Sequence, residues 1–212
     1  MNVLLVNGSP REHGCTDAAL QTIADTLHDL GDLSETIWIG VQVSGCTNCR
    51  KCKRRPYPWK CVTDDVVNTF LERVKSADAL IVGSPVYYGG ITGQLANFLT
   101  RSFYANAPVF SGKYAAGITC SRRAGNLAAL SRLNSFFLMH SMKVVGSQYW
   151  NEVHGDSPEE MQYDTEGLQT MRRLAYNMHN AVLGTELEFP EQHVHTNFIS
   201  REFLNMKTEE LR

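Results

Sequence analysis

No apolar run in the sequence reaches the roughly 20 residues that a membrane helix requires, which excludes a membrane-spanning helix. Neither sign of charge prevails. The chain carries 20 Lys and Arg against 22 Asp and Glu, a formal net charge of −2. That balance argues against a dedicated nucleic-acid binder, whose affinity needs clustered cations facing phosphates. Internal repeats and Gly/Ser linkers are missing too, and 212 residues suit one domain with a full core. G-x-x-x-x-G-K-[ST] is absent, so this is not a P-loop NTPase. G-x-G-x-x-G is also absent, and the second apolar run ends in Trp38-Ile39-Gly40 without an acidic ribose ligand, which argues against a dinucleotide site. The first residues open on an apolar strand, NVLLV, with no charged leader and no small-residue cleavage site, so the cytoplasm is the expected location. Cysteine is not scarce. In a cytosolic chain of this size, six cysteines do not read as disulfide staples. Four of them fall between Cys46 and Cys61, which points to metal or redox use.

Hydrophobic periodicity gives a regular alternation of elements. Strands are expected at residues 2–7, 35–39, 78–83, 113–119 and 142–148. Helices are expected at 15–30, with Leu20, Ile23, Ala24 and Leu27 inward and Gly31 as the stop, then at 92–104, 123–140 and 162–183. A further helix follows Thr63 as N-cap, with Asp64 and Asp65 in its first turn and Val66, Phe70 and Val74 inward. Residues 40–61 form an irregular Cys-rich insertion after strand two. Five strands alternating with helices imply an α/β fold, a doubly wound parallel sheet with helices on both faces. Ligands in such sheets sit beyond the carboxyl ends of the strands, where strand order reverses. The domain is expected over 1–185, with 186–212 as a C-terminal tail.

The loop after strand one reads N-G-S-P-R-E-H-G-C-T. Gly8 and Gly14 permit tight turns and close backbone approach. Ser9 and Thr16 offer hydroxyls, Arg11 offers a fork matched to phosphate, and the helix that follows presents free N–H groups and partial positive charge. A phosphomonoester suits this loop; the alternative is a Gly/Ser turn with no ligand. After strand three comes Ser84-Pro85-Val86-Tyr87-Tyr88-Gly89-Gly90, whose backbone suits the edge of a planar heterocycle and whose aromatics suit its face. Core tyrosines beside a turn are the alternative there.

The cysteines follow C-x2-C-x2-C-x8-C: Cys46, Cys49, Cys52 and Cys61. Thiolates are soft ligands for iron-sulfur clusters or zinc. Zinc sites usually draw on two separated pairs, whereas a close x2 run with a later fourth cysteine resembles [4Fe–4S] ligation. Lys51, Lys53, Arg54 and Arg55 would offset the thiolate charge. A formal C-x5-R match from Cys49 to Arg55 is not a phosphatase loop, because Pro56 follows the Arg and other cysteines crowd the run.

The order GSPR, then a Cys cluster followed by DD, then SPVYYG, then a Gly-bearing loop after strand four resembles the NADPH-dependent FMN reductase superfamily over roughly residues 1–180, and within it the iron-sulfur flavoprotein branch. The resemblance implies a flavodoxin-like sheet of order 2-1-3-4-5. It implies that Ser9, Arg11 and Thr16 hold an FMN phosphate, with Cys15 standing where the family often has Asn. It further implies that Pro85, Val86, Tyr87, Tyr88 and Gly89 line the ribityl chain and isoalloxazine, and that Thr119, Ser121, Arg122 and Gly125 border its other side. The family usually has more glycine in that last loop. Its compact cysteine motif also has a shorter final spacer than the K-R-R-P-Y-P-W-K found here.

The implied activity is an FMN oxidoreductase taking electrons from NAD(P)H or ferredoxin, with a [4Fe–4S] cluster as a one-electron station and a small-molecule acceptor. No catalytic acid–base group is expected. A homodimer or homotetramer is implied, with the tail as an inter-subunit arm. Two other readings stand beside it: a flavodoxin-like electron carrier without catalysis, and a zinc-stabilised binding module. Cys15 and Cys120 read as small buried residues. His140 sits comfortably at a helix C-terminus. Trp150 and His154 lie on the rim after strand five. His193 and His195 form H-x-H in the tail, but two ligands do not make a metal site, and a solvated tail is the plainer reading.

Overall fold

In the computed structural model, residues 1–54, 56 and 58–195 are described. Arg55 and residues 196–212 of the expected arm lie outside them. The sheet consists of β1 (Asn2–Asn7), β2 (Leu33–Trp38), β3 (Ala79–Pro85), β4 (Tyr114–Ser121) and β5 (Lys143–Val144), all parallel in the order β2-β1-β3-β4-β5, and β6 (Glu152–His154) also pairs with β4. The helices are α1 (Cys15–Asp29), α2 (Val66–Ser76), α3 (Gly93–Ala105), α4 (Asn126–Met139), α5 (Pro158–Met161) and α6 (Thr165–Leu183).

The period-2 alternation of the strands divides one apolar run between two cores. Leu4, Val6, Leu80 and Val82 face α2, α3 and α4, where Phe70, Phe98, Phe103 and Phe137 are fully buried. Val3, Leu5, Ala79 and Ile81 face α1 and α6, against Leu20, Ile23, Met171 and Leu174. Phe103 and Phe110 stack with centroids 4.0 Å apart. Burying each such ring contributes about 1.5–3 kcal/mol. This doubly wound arrangement, with strand order reversing between β1 and β3, puts the loops after β1, β3 and β4 on one rim.

The boundaries differ from expectation in several places: β3 and β4 each run two residues further, to Pro85 and Ser121, α4 starts at Asn126 behind Gly125 rather than at 123, and four other differences have identifiable causes. β2 begins two residues earlier, because Leu33 N–H donates to Met1 O (3.0 Å) and extends the ladder. The N-cap of α2 is Asp65 rather than Thr63: the Asp65 carboxylate accepts from Val67 N–H at 3.1 Å. The expected strand at 142–148 is broken. β5 stops at Val144, and in the gap Asn151 Nδ2 donates to Gly117 O (3.1 Å), replacing a bond that a strand N–H would make, before pairing resumes at Thr119–Glu152. The last helix, expected from about 162, starts three residues later, at Thr165. Ser157 caps the short α5, and Asp164, accepting from Gly167 N–H, starts α6 afresh.

Residues 186–195 run along α6 of the same chain. Arg172 pairs with Glu191 (Nη2–Oε2 2.7 Å), and Gln169, buried, donates to Gln192 O at 2.7 Å and accepts from Val194 N–H at 2.8 Å.

Candidate functional site

The loop after β1 is built on Asn7, which is fully buried. Its carboxamide oxygen accepts from Ser9 N–H (3.0 Å) and its amide donates to Glu12 O (2.8 Å), so one side chain holds both ends of the turn. Ser9 Oγ accepts from Arg11 N–H at 3.1 Å, and Trp38 Nε1 donates to Ser9 O at 2.8 Å. Gly8 lies against β3 and α3. A Cβ there would stand 2.6 Å from Leu95 Cδ2 and 2.7 Å from Gly83 O. Gly14 caps α1 without any side-chain hydrogen bond, leaving the helix end without a built-in acceptor. Thr16, 1% exposed, stands in that first turn, and its Oγ1 has no hydrogen-bond partner.

The loop after β3 is a tight hairpin. Tyr87 and Gly90 exchange N–H···O bonds of 2.9 Å, and Tyr88 (φ 51°) and Gly89 (φ 75°) both take left-handed backbone, the signature of a primed turn. Pro85 and Val86 are half-buried, while Tyr87 and Tyr88 are exposed at the rim. Thr92 joins this loop to the first: its hydroxyl donates to Gly8 O (2.8 Å) and accepts from Leu95 N–H (3.2 Å), capping α3. After β4, Gly125 (φ 99°) caps α4 and packs on the hairpin. An added Cβ would meet Val86 Cγ1 at 2.9 Å and Gly89 Cα at 3.2 Å. Thr119 and Ser121 are buried, and neither hydroxyl has a partner. Both polar atoms of the Asn126 carboxamide are likewise without one. Buried hydroxyls and amides are ordinarily hydrogen-bonded. Thr16, Thr119, Ser121 and Asn126 therefore fit a polar ligand spanning the loops after β1 and β4. Arg122 is exposed.

Cys15 and Cys120 meet behind this rim. Hydrogen bonding from Cys120 pulls the Cys15 thiol below its ordinary range, and the same contact together with burial pushes Cys120 well above it. Cys15 Sγ also lies 3.5 Å from Gly155 O, and Arg11 Nη1 lies 3.5 Å from Asp156 O. The turn after β6 thus closes on the loop after β1. His154 stands at the end of β6 beside Asp164, whose carboxylate accepts from His154 N–H at 2.7 Å, and Trp150 is exposed beside Tyr149.

The second cluster lies in the insertion. Cys46, Cys49, Cys52 and Cys61 line one pocket with Thr63, Arg101 and Tyr104. The backbone turns between them through left-handed Asn48 (φ 52°) and Arg50 (φ 58°). Both ends of the insertion are tied down from helices. Asn97 Nδ2 donates to Val43 O at 2.9 Å, and Asn68 brackets Cys61, accepting from its N–H at 2.9 Å and donating to its carbonyl at 3.0 Å. Arg101, 3% exposed, forks onto Asp65 (2.6 and 3.0 Å) and donates to Thr63 O and to Cys61 Sγ (3.3 Å). Burial opposes the Arg101 charge, but its bonds to Asp65 and Cys61 hold its pKa above the ordinary value. A Lys51 N–H pulls the Cys49 thiol down, while burial pushes Cys52 up. A tetrahedral zinc with Zn–S near 2.3 Å requires sulfurs about 3.8 Å apart. Among the described residues, no three of these cysteines bring their sulfurs within 4.8 Å of one another. The four thiols, gathered in one pocket, are soft donors of the kind that iron-sulfur clusters and zinc take.

Asn7, Asn68, Arg101 and the Gly155–Asp156 turn were not singled out in the sequence. Arg101 carries a signal in retrospect: it falls at i+3 from Phe98 on the apolar stripe of α3, where an unpaired charge would not be tolerated.

The sheet order and its rim of loops define a flavodoxin-like protein. A flavodoxin, WrbA-like protein from Agrobacterium tumefaciens superposes with a TM-score of 0.63 at 18% identity, covering 87% of this chain and 99% of that one. The NADPH-dependent FMN reductase family matches residues 1–156. An iron-sulfur flavoprotein of Methanocaldococcus jannaschii is 33% identical over 186 residues, covering 82% of this chain and 93% of the relative. Another, from Methanosarcina thermophila, is 26% identical over 181 residues, covering 82% and 92%. The chain belongs to the NADPH-dependent FMN reductase family, in its iron-sulfur flavoprotein branch.

Proposed function

We propose that the chain is an FMN-dependent oxidoreductase that also carries a [4Fe–4S] cluster. Electrons enter from NAD(P)H or a ferredoxin and leave to a small-molecule acceptor. The observation that carries this reading is the set of buried polar groups without partners, Thr16, Thr119, Ser121 and Asn126, gathered at the carboxyl ends of β1 and β4. Ser9, Arg11 and Thr16, with the uncapped start of α1, would hold the phosphate, adjoining Cys15. Pro85 to Gly89 would line one side of the flavin, and Thr119, Ser121, Arg122 and Gly125 the other. Bound FMN supplies both two-electron and one-electron chemistry.

The chain's own part is positional and electrostatic. Arg11 and the α1 dipole offset the phosphate charge. Gly8 and Gly125, where a Cβ has no room, let the three loops close together. No side chain is required to move a proton. Cys46, Cys49, Cys52 and Cys61 would hold the cluster, with Arg101 donating to Cys61.

Anaerobic mixing of the FMN-loaded protein with NADPH, followed by flavin absorbance, tests the enzymatic reading. Rapid bleaching supports it. Reduction by dithionite or ferredoxin alone would instead make the chain an electron carrier.

A further inference from the structure

We propose that Glu166, His193 and His195 form a divalent-metal site that pins the 186–195 segment to the start of α6. The proposal is independent of the flavin and the cysteines. Three observations converge on it. First, Glu166, Gln169 and Arg172 are spaced i, i+3, i+6 and so form one stripe along α6. Second, the segment runs antiparallel to that stripe and is fixed against it residue by residue. Glu191 meets Arg172, Gln192 and Val194 meet Gln169, and His193 meets Glu166, with Nε2 to Oε1 at 3.8 Å. Third, residues two apart in extended chain share a face. With Val194 N–H turned to Gln169, the rings of His193 and His195 lie together, centroids 4.1 Å apart.

The outcome is that one carboxylate oxygen and two imidazole nitrogens all lie within 4.8 Å of one another. Two histidines and a glutamate form a recurrent borderline-soft donor set for Zn2+, with a position left over for water. Other first-row divalent ions compete for such a set in the usual order of affinity. His193 Nε2 and Glu166 Oε1 stand 3.8 Å apart, close enough for one cation to be bound by both. The H-x-H pair supplies two ligands, and only the fold brings up the third.

The test uses the full chain, purified anaerobically with its cofactors in place and stripped of loosely bound ions by a mild chelator. Calorimetric titration with Zn2+ is expected to show one site per chain beyond any at the cysteines. Combining His193→Ala with His195→Ala removes that site. Both side chains are exposed, so the variant keeps its fold, as circular dichroism would confirm. Glu166→Gln weakens the site by at least about tenfold, the lower bound for loss of a supporting group around a metal. Co2+ at the same site gives ligand-field absorption without the sulfur-to-metal charge-transfer bands of cysteine ligation. Equal Zn2+ stoichiometry and affinity in the double-histidine variant and the parent would overturn the proposal. So would a parent chain that takes up no Zn2+, or Co2+ spectra showing only sulfur ligation.

Discussion

The guanidinium of Arg101 forks onto the Asp65 carboxylate at 2.6 and 3.0 Å, and from that anchored position one of its nitrogens reaches Cys61 Sγ. The N-cap of α2, the interior of α3 and the last cysteine of the insertion are thus one hydrogen-bonded unit. Replacing Arg101 by Met leaves Asp65 without its partner, and breaking a buried pair costs up to about 3–5 kcal/mol. Asp65 is 27% exposed, so the lower end is expected, read from urea unfolding. Arg101→Lys should not restore stability, because an ammonium cannot fork. Both variants should retain less iron than the parent.

Thr16→Val should have opposite effects on the two forms of the protein. Its hydroxyl is buried and without a partner when FMN is absent, so removing it should stabilise the apoprotein by up to about 1–3 kcal/mol. If Thr16 holds the FMN phosphate as proposed, the same change costs roughly 1.5–3 kcal/mol of FMN binding, or about 10- to 150-fold in affinity. Melting of the apoprotein and quenching of FMN fluorescence read the two halves separately. Stability and affinity falling together would show that Thr16 serves packing alone.

Gly125→Ala should impair flavin binding more than it impairs folding. The residue has φ 99°, and a Cβ would sit 2.9 Å from Val86 Cγ1. The hairpin must therefore move away from α4. A cost of about 1–3 kcal/mol is expected for the overpacking, together with weakened FMN affinity on the same fluorescence titration.

The Arg172–Glu191 pair should make docking of the 186–195 segment sensitive to acid. Hydrogen bonding from Arg172 holds the Glu191 carboxyl below its ordinary value. A carboxylate depressed in the folded state contributes stability above its unfolded pKa, about 4.3, and loses that contribution as pH falls through the folded value. Glu191→Gln should accordingly be less stable than the parent at pH 7 in urea, and the difference should close on acidification below about pH 4. A gap that is constant with pH would contradict this.

Much of the fold was legible because the strands and helices carry their own periods. Val3 to Val6 and Ala79 to Val82 are continuous apolar runs, as strands buried on both faces must be. Leu20, Ile23 and Leu27 keep helical spacing and are all fully buried. The break in the last strand was not legible, since it depends on a partner remote in sequence: Asn151 satisfies Gly117 from outside the strand. At the rim, the close backbone approach at Gly8 was readable from type and position. The left-handed turn at Tyr88 was not, because tyrosine carries no preference for it. Asn68 reads as an ordinary polar helix residue until the chain returns Cys61 to its side chain. Glu166 is similarly silent without the tail that the fold lays beside it.

Cofactor content tests the central claim most directly: an absorption spectrum of anaerobically purified protein, with FMN, iron and zinc assays on the same sample. The expected result is a flavin spectrum on a broad cluster shoulder, with about one FMN and about four irons per chain. A colourless protein that refuses added FMN and holds no iron would contradict it.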